Sequence, residues 1–466
     1  MSPQINAPAD YIKRVFDLRQ DVFARLAKKD KSRLWLKASL EDVKKAVIIS
    51  SASRSGSSLL YAILKKIPRI YSLSGEAVPF YKLNGFSSDI CLSDEIPIEL
   101  TKRNNHNLSR DFLSDFSLVL QENSISDDDR LLDGYLDDLV LRFSMQWPQI
   151  TFSYDTFRDL AQGAFRKYTS SHQKFCKEDF YLELFRTLRA TYPAINPYYY
   201  DIPQDLVKNN FPEITVPAGP PNDISAIEEP PFILLSPQDK PDKDSLDDKI
   251  LLLKSQLDCY SMPFIKALLP NADIKIIYLT RNPMGSINGL YDGWLSRGFF
   301  SHNLRGLLSS GQTKVRSLNI QGYSDKYEWG KWWWKYDLPP GWQDYAEKRL
   351  EEVCAFQWCA ANQAIQDYLR ADDITQCCRI RYENIIGSSG SRLSEIEKIF
   401  AFLGLDNRGI NHLDLDKLPV IQATLPPVPY RWKARQEILL PLLDTPQVVR
   451  MSDTLGYKKE NIKEWL

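Results

Sequence analysis

The stretch Val47 to Leu60, VIISSASRSGSSLL, constrains this chain more than any other. A β-branched, apolar run from Ala46 to Ile49 gives way to small polar residues around Arg54 and Gly56. A helix-like pattern then resumes from Ser57 to Ile67. That order reads as a strand, a tight loop and a helix start. Such a loop aims backbone N–H groups and the positive end of a helix dipole at one point, which favours a phosphate. Gly56 lets the backbone approach closely, and Ser53, Ser55, Ser57 and Ser58 add hydroxyl donors. The G-x-x-x-x-G-K-[ST] spacing of the kinase and GTPase loop is absent. Arg54 supplies the positive charge instead. An ordinary strand-to-helix turn is the plainer alternative.

Composition narrows the classes. The 466 residues suffice for one large domain or two or three smaller ones. Lys and Arg (59) nearly balance Asp and Glu (60), so no overall basic excess points to nucleic acid or an anionic membrane. Seven scattered cysteines form no C-x-x-C pair, and there are only four histidines. The expectation is no metal site and a reducing compartment. The N-terminus lacks an apolar signal core and no run approaches the length of a membrane span, so the chain is expected to be cytoplasmic.

Periodicity then orders the chain. Residues 10–28 read as an amphipathic helix, followed by the strand–loop–helix unit at 46–67. Helical patterns recur at 155–168 and 177–191. Residues 193–245 are Pro-rich and read as a long irregular connection over the surface. Alternation resumes with strands at 250–254, 274–280 and 379–382. Helices are expected at 260–269, 283–295, 343–369 and 393–403, the last stopped by Gly404. Short β-runs separated by helices predict a parallel sheet covered on both faces, with ligands at the carboxyl ends of strands. The 53–58 loop, Lys254 and Arg281 fall there.

Three blocks carry a resemblance. RSGSSLLYAILKKIPRIYSLSGE resembles the 5′-phosphosulfate loop and following helix of sulfotransferases that use 3′-phosphoadenosine 5′-phosphosulfate (PAPS). Its Arg, in place of Lys, is similar to the tyrosylprotein and bacterial branches. ILLLKSQLDCYSMPFIKALLPNADIKIIYLTRNPMGSING looks like the second block of that family, and RYENIIGSSGSRLSEIEKIFAFLGL like the third. The blocks occur in family order over roughly a third of the chain. The resemblance implies an α/β, P-loop-like three-layer fold with a central parallel sheet and large helical insertions. The chain is then read as an N-terminal helical extension (1–45), a core (46–86 with 246–466) and, at 87–245 where the resemblance does not clearly extend, a helical and Pro-rich insertion that is a candidate acceptor-binding cap.

The chemistry fits that implication. Sulfuryl transfer builds negative charge on the oxygen bridging sulfur to the leaving phosphate, which a positioned cation stabilises. The resemblance puts Arg54 and Lys254 there. The nucleophile must lose a proton, and Glu76 sits where tyrosylprotein-type enzymes carry their catalytic Glu. His106, His172, His302 and His412 are the other possible bases. Arg281 is expected to clamp the 3′-phosphate, where a planar guanidinium suits bidentate binding. The usual Ser partner is replaced by Gly289, leaving Ser286 or Asn288 to donate. Arg431 and Lys433, in a basic, aromatic patch, are expected to close the nucleotide site. The aromatic cluster at 328–342 reads first as core or packing, with the alternative that one or two of Trp332, Trp333 and Trp334 line an acceptor pocket, and Cys377 and Cys378 read as small core residues.

The function implied is sulfonate transfer from PAPS, with 3′,5′-adenosine bisphosphate as product, to a hydroxyl or amine of a small molecule or glycan. Two rivals remain: a non-catalytic nucleotide-binding or interaction protein on the same fold, and a nucleotide-dependent phosphoryl transferase.

Overall fold

The computed structural model describes residues 8–87, 91–102, 105–119, 129–224, 226–371 and 376–465. Seven strands are present among them: β1 (Lys45–Ser50), β2 (Ile70–Ser72), β3 (Ile250–Lys254), β4 (Asp273–Thr280), β5 (Phe300–Asn303), β6 (Trp333–Lys335) and β7 (Cys377–Arg381). Five of them form one parallel sheet in the order β2-β3-β1-β4-β7, and β5 pairs antiparallel with β6. β1 is central, with β3 on one side and β4 on the other.

The apolar runs of β1, β3 and β4 are continuous because helices cover both faces of the sheet. Alternate side chains point to opposite layers. Ala46, Ile48, Leu251, Leu253 and Ile276 pack with Phe264 and Leu268. Val47, Ile49, Leu252, Ile277 and Leu279 pack with Leu60, Leu64, Ile396 and Phe400. Full burial of such a side chain contributes about 1.5–3 kcal/mol. A third core joins the helices Asp129–Gln146, Tyr154–Thr169 and Lys177–Arg189 through Phe143, Phe157, Phe165 and Phe185.

Register brings the strand ends together. Ile49 lies beside Lys254, and Ser50 beside Tyr278, three residues before Arg281. The loop after β1, Lys254 at the end of β3 and Arg281 after β4 therefore open into one crevice on either side of the central strand. The helix Pro283–Trp294 begins there, capped by the Asn282 side chain accepting from Gly285 N at 2.7 Å, with Pro283 in its first turn.

Several sequence expectations need correction. The long helix spans Leu350–Ala371 and does not start at 343. Trp342–Tyr345 forms a separate 3-10 turn, and Arg349 bridges to Gln321 while Leu350 N donates to Gln321 O at 2.9 Å, which sets the start of the long helix. Tyr382 is not in the third strand; it opens the helix Tyr382–Ile386. The Pro-rich segment is not a surface connection. It buries Tyr199, Tyr200, Phe232, Leu234 and Leu235 in the third core. Trp333 and Trp334 are fully buried packing residues, and none of the three consecutive tryptophans lines the main cavity. Trp332 stacks with Arg305, whose guanidinium lies 4.0 Å from its ring centroid. Cys378 is buried in the core and Cys377 is half-buried at its margin. Among the described residues no helix is long and apolar enough to cross a membrane.

Candidate active site

At the carboxyl ends of β1, β3 and β4 lies a cavity of about 380 Å³. Its floor is the loop after β1. Gly56 adopts φ +95°, and a Cβ there would stand 2.1 Å from Tyr382 Cδ2. Only glycine meets both demands. Arg54 is itself left-handed at φ +64°, an uncommon conformation for a residue with a side chain. The turn exposes the start of the helix Ser57–Leu64 to the cavity, where Gly56, Ser57 and Ser58 are lining residues.

The serines differ in their engagements. Ser53 lines the cavity but donates to Asp337 Oδ1 at 2.7 Å. Tyr260 donates to the other Asp337 oxygen at 2.7 Å, and burial still pushes that carboxyl up to about 6. Ser55 is buried 3.4 Å from Ser286 Oγ, and neither residue lines the cavity. Ser58 donates to Gln422 Oε1 at 2.9 Å and accepts from Lys254 Nζ at 3.0 Å.

Lys254 and Glu76 meet directly as an ion pair, the lysine side chain 9% exposed and the glutamate 24%. The second Glu76 oxygen faces Gln256 N at 3.4 Å. Arg54 reaches across the cavity mouth, donating to Gln422 O at 3.0 Å with its guanidinium 5.0 Å from the Phe299 ring centroid.

Arg281 forms a second cationic point. Its Nη1 donates to Arg54 O at 2.9 Å, and its guanidinium lies over the Tyr382 ring at 4.5 Å. Its Nε is buried without a hydrogen-bond partner among the described residues, and burial lowers its affinity for the proton. Gly285 leaves it room, since a Cβ there would meet Arg281 Nε at 2.8 Å. Gly289 is similarly confined, with Arg54 Cβ 3.1 Å from where its own Cβ would be. This crowding is the physical reason a side chain is absent at that position. Of the two substitutes, Asn288 lines the cavity and Ser286 does not.

The roof comes from residues 418–432. Leu418, Ile421, Gln422, Leu425 and Arg431 line the cavity from this segment. Arg431 donates to Asp292 Oδ2 at 2.6 Å, and Arg435 to Asn288 Oδ1 at 2.7 Å and to Asp292 Oδ1 at 2.6 Å. Lys433 is exposed, stacks on Tyr430 at 4.2 Å and does not line the cavity. Of the two residues expected to close the nucleotide site, Arg431 therefore lines the cavity and Lys433 does not. None of the four histidines lines the cavity. His302 is buried 3.4 Å from Asp94, and the other three are exposed.

Sequence reasoning missed Tyr382, Gln422 and Glu229. Glu229 lines the cavity from the Pro-rich segment, and its Oε2 accepts from Ser301 Oγ.

No protein-family profile matches the chain, and no curated protein matches it. Two solved structures match nearly its whole length at low identity. One is the sulfotransferase domain from the curacin biosynthetic pathway, 11% identical, covering 89% of this chain and 99% of that domain at a TM-score of 0.36. The other is the sulfotransferase domain from the Synechococcus PCC 7002 olefin synthase, 14% identical, covering 89% and 95% at a TM-score of 0.33. So distant a likeness assigns no residue its role. Those assignments rest on the geometry above.

Proposed function

We propose that the chain is a PAPS-dependent sulfotransferase acting on a hydroxyl or amine of a small molecule or glycan. The observation that carries this reading is a pair of cationic points on one cavity. Arg54 and Lys254 lie at the loop, and Arg281 lies beyond it with a buried N–H that has no partner among the described residues. A ligand with two separate anionic groups fits such a pair. Residues 53–58 would hold the 5′-phosphosulfate, and Arg281 with Asn288 the 3′-phosphate. Arg431 would close the nucleotide end.

PAPS supplies an activated sulfonate, whose transfer leaves a phosphate. The loop N–H groups and Arg54 orient it. Lys254 would offset the charge that builds on the bridging oxygen. Two carboxylates, Glu76 and Glu229, line the same cavity, and one of them takes the acceptor's proton. Calorimetry with 3′,5′-adenosine bisphosphate, 5′-AMP and ATP tests the reading. The bisphosphate is expected to bind far more tightly than ATP. Equal or tighter ATP binding that depends on Mg²⁺ would move the assignment to phosphoryl transfer.

A further inference from the structure

Glu229 belongs to none of the sequence blocks that mark the site, yet its carboxylate stands in the cavity. Ser301 Oγ donates to its Oε2, and Gln256 Nε2 donates to Ser301 Oγ at 3.3 Å. Oε1 accepts no hydrogen bond from the described residues. The contrast with Glu76 is direct: Lys254 and the Gln256 N–H already occupy both Glu76 oxygens. Taking Glu76 as the base would also require it to release the lysine it holds.

We propose that Glu229 is a catalytic residue of this site, taking the acceptor's proton on Oε1, while Glu76 acts through Lys254 as a positioning residue. The inference rests on the sulfotransferase reading. The acceptor O–H bond breaks and its proton moves to Glu229. The acceptor oxygen forms a bond to sulfur, and the bond from sulfur to the bridging oxygen breaks. The electron pair stays on the phosphate, where Lys254 and Arg54 offset the charge.

The surroundings suit a base that works near neutrality. Burial first, and the neighbouring Glu76 charge second, raise the Glu229 carboxyl to about 7. Ser301, Lys82 and His302 act the other way. Lys82 is tied to backbone carbonyls, donating to Ala226 O at 3.0 Å and Ser301 O at 2.5 Å. Lys335 and Tyr336 also feel the Glu229 charge, and burial pushes the Lys335 ammonium well below its usual range. A proton acceptor near the working pH is the efficient choice.

The test compares wild type, Glu229→Gln and Glu76→Gln as full chains. The acceptor-free arm is thermal. A carboxyl with a raised pKa in the folded state contributes stability below its unfolded value and loses it as pH rises through the folded value. The melting-temperature difference between Glu229→Gln and wild type should therefore shift in the variant's favour from about pH 4.5 to 7, then level off. A difference that stays flat overturns the proposal. The activity arm uses sulfur-35-labelled PAPS with benzyl alcohol and with water as probe acceptors, neither of which ionises near neutrality. Glu229→Gln should lower turnover by about a hundredfold to ten-thousandfold and abolish the acid limb near pH 7. Glu76→Gln should keep that limb but move it to lower pH, since it removes a charge that raises Glu229. A limb that survives in Glu229→Gln and vanishes in Glu76→Gln overturns the assignment. The melts test the raised carboxyl and the pH–rate limb tests its role in proton transfer. Wild type that fails to bind 3′,5′-adenosine bisphosphate overturns the sulfotransferase reading and leaves the melt difference standing.

Discussion

The floor and the roof of the cavity are built on different principles. The floor is the carboxyl edge of the sheet, where strand register and the turn after β1 bring Arg54, Lys254 and Arg281 onto one cavity. Its geometry is held by a buried core, and Ile48→Ala in that core would cost about 2–5 kcal/mol. The roof, residues 418–432, contains no regular element before Arg431 and exposes Val420, Leu425 and Val428. Between its anchors Leu418 and the buried Trp432, it is fastened by polar contacts, chiefly Gln422 to Arg54, Ser58 and Asp201, and Arg431 to Asp292. A rigid edge can preorganise charge for a transition state. A lightly fastened cover suits entry and release. Substitutions in the floor should therefore change chemistry or nucleotide affinity strongly, and those in the roof weakly.

Among the cations of the floor, the largest effect is expected at Lys254. Lys254→Ala removes the cation at the bridging oxygen, so turnover with labelled PAPS should fall about a hundredfold to a thousandfold. Bisphosphate affinity should change far less, because the work of Lys254 falls on charge that develops during transfer. A matching loss of affinity would make it a binding residue and blur the contrast with Arg281. At Arg281 the prediction inverts. Arg281→Ala should weaken 3′,5′-adenosine bisphosphate by roughly tenfold to a hundredfold, from about 1.5–3 kcal/mol for a charged hydrogen bond, while sparing 5′-AMP. Equal losses for both ligands in calorimetry would remove Arg281 from the 3′-phosphate.

The same division explains what the sequence disclosed. Lys254 and Arg281 were legible because each directly ends or follows an apolar strand, and a parallel sheet brings such ends together. The loop was legible because Gly56 and its serines are contiguous. Glu229, Tyr382 and Gln422 were not, since each arrives by tertiary packing from a segment with no period of its own. Tyr382 was placed in a strand because its Arg-Ile-Arg-Tyr context alternates; the chain turns into a helix one residue early and seats the ring on Gly56. The pocket alternative for the tryptophans failed for a related reason. A strand should face Trp333 and Trp334 apart, and it does, but a core waits on both sides. Gln422 offered no signal beyond a polar residue at φ +48° in a Pro-rich stretch.

Gly289 sharpens the floor from the opposite direction. Gly289→Ser restores the hydroxyl that the resemblance implies, yet its Cβ would press on Arg54 at 3.1 Å. Arg54 is already in a left-handed backbone conformation and has little freedom to retreat. The substitution should weaken bisphosphate binding several-fold, of the order of 1 kcal/mol for a modest overpacking strain. Tighter binding in calorimetry would show that Arg54 yields and that the hydroxyl is welcome.

The smallest effect belongs to the roof. Gln422→Ala deletes the hydrogen bond from Ser58 but keeps the carbonyl that accepts from Arg54. One neutral hydrogen bond at a half-buried site contributes about 0.5–1.5 kcal/mol, and Ser58 retains Lys254 as a partner. Bisphosphate affinity should therefore fall by no more than about tenfold. The loss should appear mainly in the dissociation rate, because a looser cover releases ligand sooner while the floor still captures it. Stopped-flow measurement of both rate constants separates the cases. An association rate that falls while dissociation is unchanged would mean that Gln422 shapes the floor through Ser58, and the roof would lose its separate standing.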